Sequence, residues 1–178
     1  MAIDSTCLED HHASRHYLHR IGRTKHYSHY PKLTLAVDVD THLILAALPG
    51  RGPNNDAPYF PPVLRAAHQQ VNIKQVLADM GYDSEAHHVL CRSLGIRRSV
   101  IAVNKRGRRV WPKAKYRRQL QRCFPNRLYR RRAQIESVNS RLKRRLGSAL
   151  TARTDSTRDA ECYFRVLTFN LMILRCRL

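Results

Sequence analysis

Three carboxylates carry the chemical interest of this chain. Asp4 closes a short apolar run that starts at Met1, and Asp79 closes a second, Ile73-Lys-Gln-Val-Leu-Ala-Asp79. Glu136 is the only acidic residue between Glu85 and Asp155, a span crowded with Arg and Lys. A lone carboxylate in such company is explained if something positive other than a side chain sits beside it. Three converging carboxylates would hold magnesium, a hard ion that prefers oxygen ligands and keeps several waters. A pair of such ions about 3.5–4 Å apart can clamp the attacking and leaving oxygens of a phosphoryl transfer. The plainer alternatives are a solvated Glu136 paired with Arg132 one turn back, and Asp4 and Asp79 as polar strand ends that begin turns. Asp83 competes with Asp79, but it stands where a helix N-cap is wanted.

The elements that would position these groups can be read from periodicity. Leu128, Ile135, Val138, Leu142 and Leu146 recur at helical spacing, which predicts an amphipathic helix over 127–147 with Gly147 as its stop. Tyr129, Arg132, Glu136 and Lys143 then project from one side of it. Upstream, Asp4 suits the end of a core strand, and 7–31 reads as a long basic loop. Alternation predicts a strand over Leu33–Asp40, a turn at Thr41 and His42, and a second strand over Leu43–Leu48. A loop over Pro49–Pro62 precedes a helix over Val63–Gln70. Strand Ile73–Asp79, a helix to about Leu94 stopped by Gly95, and strand Ser99–Val103 follow. The segment 104–126 is a basic loop with a helical turn or two. A packing helix over 159–175 presents Tyr163, Phe164, Val166, Leu167, Leu171 and Leu174. The order implies a single α/β domain over 1–178, a mixed sheet with helices on both faces.

The charge balance narrows the partner. Across 178 residues, 33 basic side chains face 13 acidic ones, a net charge of +20. Such a surplus holds a polyanion through counterion release and steers it in at long range. Arg130, Arg131, Arg144 and Arg145 are a solvated face or a phosphate track, and the charge favours the track. Trp111, among basic residues, is either a stacking platform for an unpaired base or a core anchor. His16-x2-His19 and His26-x2-His29, with Cys7 nearby, have loose zinc spacing and lack a CxxC half, so a basic DNA-contacting loop is preferred. His87 and His88 are expected at the surface. The five Cys are odd in number and without CxxC spacing, which suits reduced thiols in a cytoplasmic, nucleoid-associated protein. The longest apolar run, Leu171–Leu174, is far too short to span a bilayer.

Three blocks of the chain resemble the catalytic domain of DDE-class insertion-sequence transposases, which have a ribonuclease H-like fold. Ile3-Asp4-Ser5-Thr6 is similar to the block around the first catalytic Asp. Ala78-Asp79-Met-Gly81-Tyr82 is similar to the second, D-x-G-Y followed by a helix. Tyr129, Arg132, Glu136 and Lys143 match the signature Y-x2-R-x3-E-x6-K in register. The likeness implies three antiparallel strands followed by parallel ones, and two magnesium or manganese ions. Asp4 would be shared by both ions, and Asp79 and Glu136 would each complete one site. It also implies cleavage at transposon ends, strand transfer to target DNA by the freed 3′ hydroxyl, and a homo-oligomer on DNA. Arg132 and Lys143 would hold phosphates, and Tyr129 would pack against a sugar or base. Family members carry an N-terminal DNA-binding region before the first Asp block. Met1 lies so close to Asp4 that this region is expected to be encoded elsewhere or lost. Two other readings remain open: a catalytically silent DNA-binding remnant, and a basic structural RNA-binding protein of ribosomal type.

Overall fold

The computed structural model describes residues 1–10, 30–104 and 113–176. The basic segment with His16, His19, His26 and His29, and Trp111 with its neighbours in 105–112, lie outside the described residues. The strands of the main sheet are β1 (Ala2–Cys7), β3 (Tyr30–Val37), β4 (Ile44–Gly52), β5 (Gln75–Ala78) and β6 (Arg98–Ile101). They form a five-stranded sheet in the order β4-β3-β1-β5-β6. The β1, β3 and β4 pairings are antiparallel, and the β1–β5 and β5–β6 pairings are parallel. A small parallel pairing joins β2 (Glu9–Asp10) to β7 (Ala149–Leu150).

Helices cover both faces, as alternation along each strand requires. On one face Ile3, Ala36, Val76, Ala78 and Ile101 pack with helix α1 (Phe60–Gln70) and helix α2 (Glu85–Ser93). On the other, Ala2, Leu33, Leu35, Val37, Leu77 and Val100 pack with α5 (Ala133–Leu146) and α6 (Asp155–Arg175). Short helices α3 (Lys115–Arg122) and α4 (Asn126–Tyr129) precede α5, and a 3-10 turn over Arg130–Arg132 joins α4 to it. The element order and the mixed sheet are those expected of a ribonuclease H-like domain.

Several expectations are corrected. Asp4 does not end its strand, because β1 continues to Cys7 along β3. It stands instead just past the last residue that pairs with β5. The loop expected over Pro49–Pro62 is shorter, because β4 continues to Gly52 opposite Tyr30. Pro49 is tolerated there because β4 is an edge strand, where a missing N–H breaks no ladder. His87 and His88 are buried, not superficial. The His87 ring stacks on Phe60 at 4.4 Å, and His88 Nδ1 meets Ser99 Oγ at 2.8 Å. The predicted helix over 127–147 is three consecutive pieces, with Tyr129 and Arg132 in the first two and Glu136 and Lys143 in α5. The last helix starts earlier than 159, where Thr154 and Thr157 form a capping box. Its inward residues are Cys162, Val166, Phe169 and Ile173, while Tyr163, Phe164, Leu167, Leu171 and Leu174 are exposed.

Candidate metal and nucleic-acid site

Strand register places the first two carboxylates. Ala2 pairs with Leu77 and Ile3 with Ala78, in parallel. One further step along each chain reaches Asp4 and Asp79, on neighbouring strands about 4.8 Å apart. Asp79 is still extended, at φ −80° and ψ −178°. Since Ile3 faces α1 and α2, Asp4 turns to the opposite face, where it meets Asn139 of α5, and Asp79 lies near enough to act on the Asp4 carboxyl. That helix buries Ile135, Val138, Asn139 and Leu142 against the sheet and leaves Glu136 exposed, its side chain 55% accessible.

The motif residues that bear no charge hold this arrangement from behind. On the far face of β1, Ser5 Oγ lies 2.7 Å from the buried Tyr82 hydroxyl and 2.8 Å from Thr34 Oγ1. The Asp4 block and the D-x-G-Y block are thereby hydrogen-bonded to one another. Gly81 N–H donates to Asp79 Oδ1 at 2.8 Å, and a Cβ at Gly81 would stand only 3.0 Å from that oxygen. Asp79 therefore caps a turn as well as lying near Asp4. Asp83, its competitor, is committed elsewhere. Its buried carboxylate accepts two hydrogen bonds from the Arg117 guanidinium, at 2.8 and 2.7 Å, and one from Asn104 N–H. The N-cap of α2 is Ser84.

Electrostatics ties the three carboxylates together. Burial, then the Asp79 carboxylate, pushes the Asp4 carboxyl up to about 6, Glu136 adds to the rise, and Arg132 opposes it. Asn139 Nδ2 donates to Asp4 Oδ2 at 3.3 Å. The other end of the same amide, Oδ1, is buried without a hydrogen-bond partner among the described residues. Among the described residues no three His, Cys, Asp or Glu groups already stand close enough to hold a metal ion. Glu136 is engaged instead by the Arg132 guanidinium, which also lies over the Tyr129 ring, 5.8 Å from its centroid. The donor set nevertheless fits a hard divalent cation. Its ligands would be carboxylate oxygens, their mutual repulsion at Asp4 is what a cation relieves, and the amide oxygen of Asn139 beside Asp4 lacks a partner among the described residues.

The basic residues divide into paired and exposed. Arg131 pairs with Asp40 of the β3–β4 turn, and His42 Nε2 meets Gln134 Oε1 at 2.9 Å, so the hairpin docks at the start of α5. Arg130, Arg144 and Arg145 are exposed, and Lys143 is half-buried. Sequence reasoning missed Asn139; the available signal was its place one turn after Glu136, on the face that meets the sheet. No helix among the described residues is long and apolar enough to cross a membrane. The family model described as transposase DDE domain matches residues 1–171. No curated protein matches the chain.

Proposed function

The chain belongs to the transposase DDE domain family, and from that premise we propose that Asp4, Asp79 and Glu136 carry metal-dependent cleavage and joining of DNA strands at the ends of an insertion sequence. The observation that supports this best is the parallel register of β1 and β5, in which Asp4 and Asp79 each follow a paired residue, together with the contact of Asp4 with Asn139 of the helix that bears Glu136. Asp4 would be shared between two magnesium or manganese ions, with Asp79 completing one site and Glu136 the other. Bound there, the ions would supply Lewis acidity and an activated nucleophile.

The chain's own residues do the rest. Arg132 pairs with Glu136 and stands over Tyr129. A phosphate arriving between them would compete for that guanidinium and release the carboxylate toward Asp4. Lys143 and the exposed Arg130, Arg144 and Arg145 would track the backbone of transposon-end and target DNA, with Arg131 at the edge of the track. Trp111 would stack on an unpaired base. The protein would act as a homo-oligomer that brings two ends together in the nucleoid.

A second reading has its own support. Glu136 is paired with Arg132, and no ready-made ligand cluster is present among the described residues, which would suit a remnant that binds DNA without cutting it. One comparison separates the two. Wild type should nick end-bearing duplex DNA in magnesium, whereas Asp79→Asn and Glu136→Gln should bind the same DNA and cut it at least about 100-fold more slowly. Binding without cutting by all three proteins would leave the silent reading, and equal cutting by all three would overturn the assignment of Asp79 and Glu136.

A further inference from the structure

We propose that Asn139 is a positioning residue for Asp4, its amide N–H fixing one carboxylate oxygen so that the other stays directed to the metal, and its amide oxygen receiving a water of the ion's shell. The inference rests on the proposed metal site, and it assigns to that site a residue outside the Y-x2-R-x3-E-x6-K signature.

Asn139 follows Glu136 by three residues, so the two side chains leave α5 on adjacent turns of one side. Glu136 is exposed, while Asn139 is only 8% exposed. Asn in a buried helical position is costly unless both ends of its amide are satisfied. Only one end is. Nδ2 donates to Asp4 Oδ2 at 3.3 Å, and Oδ1 has no partner among the described residues. Flipping the amide does not remove the problem, since it would turn the carbonyl oxygen toward a carboxylate. The orientation is therefore set by Asp4, and the orphaned acceptor points to a donor supplied by something that binds. A water held by a cation is such a donor, and its protons are unusually willing ones.

A purely structural role makes a different forecast. If Asn139 merely filled space, an apolar residue of similar volume would serve, and the burial of an unsatisfied amide would be relieved. The positioning role requires instead that a directed N–H be present next to Asp4.

Manganese binding to the purified chain, followed by loss of the free-ion electron paramagnetic resonance signal, distinguishes these. Asn139→Leu should weaken manganese affinity about 10- to 100-fold, the usual effect of removing an outer-sphere partner. Asn139→His, which keeps a ring N–H at similar reach, should recover most of it, to within about threefold of wild type by the same reasoning. Manganese binding by Asn139→Leu equal to wild type overturns the inference. So does Asn139→His binding as weakly as Asn139→Leu while both melt like wild type. If wild type itself shows no binding that Asp4→Asn abolishes, the metal site fails, and this role fails with it.

Discussion

At the scale of single residues, Asp4 shows what a buried carboxylate costs a fold. Its carboxylate lies where burial and the charges of Asp79 and Glu136 all oppose ionisation, and only Arg132 and hydrogen bonds favour it. The sign of the consequence follows from linkage. A carboxyl raised from 3.8 to about 6 on folding favours the fold fully below about pH 4, and that contribution fades as pH rises through about 6. Asp4→Asn should therefore stabilise the metal-free protein at pH 8 by about 2 kcal/mol, after discounting for solvent at a half-buried position, and by little at pH 4. His88 acts in the opposite sense: burial lowers its imidazole to about 4, so its contribution is lost as pH falls toward that value. Melting wild type and Asp4→Asn side by side from pH 4 to 8 cancels the His88 effect and isolates Asp4. A stability difference that does not grow with pH would contradict the assignment.

At the scale of elements, side chains far from the chemistry decide where the basic surface stands. Asp83 is buried beneath Arg117, and Glu85 accepts the Tyr116 and Arg117 N–H groups at 3.0 and 3.2 Å, which caps α3. Together they fasten α3, which carries Lys115, Arg118 and Arg122, onto the start of α2. Asp83→Ala leaves a largely buried guanidinium without its partner and should lower stability by about 3 kcal/mol in urea unfolding. A loss below about 1 kcal/mol would place the pair among weak surface contacts. This role is not legible from the chain, where Asp83 reads as a helix cap, because its partner lies 34 residues away. The same limit explains other misses. His87 and His88 read as polar helix positions until the sheet and Phe60 are packed against them. Helix α6 is apolar on two sides, so periodicity reveals an amphipathic helix but not which side meets the sheet. Local pattern and tertiary demand coincide in α5, where Ile135, Val138 and Leu142 are all buried as their spacing implies. The strand carrying Asp4 is legible too, but only the β5 register shows why Asp4, in mid-strand, lies near Asp79.

At the scale of the whole molecule, a net charge of +20 implies a partner dense in negative charge, and membership of a transposase family points to DNA. Exposed Arg144 and Arg145, at the end of α5, are proposed to touch backbone and not bases. Replacing both with Ala should weaken duplex binding similarly across sequences. It should also reduce the slope of log affinity against log salt by about 0.9 for each phosphate no longer neutralised. An unchanged slope would remove them from the track. The register of β1 and β5 brings Asp4 and Asp79 near one another, and α5 carries Glu136. Whether these three groups share one metal site can be read from the anomalous signal of crystals soaked in manganese. A peak is expected in coordination contact with Asp4 and with at least one of Asp79 and Glu136, and it should vanish in Asp4→Asn crystals. A peak elsewhere on the chain, or none at manganese concentrations that occupy such sites, would contradict the shared site.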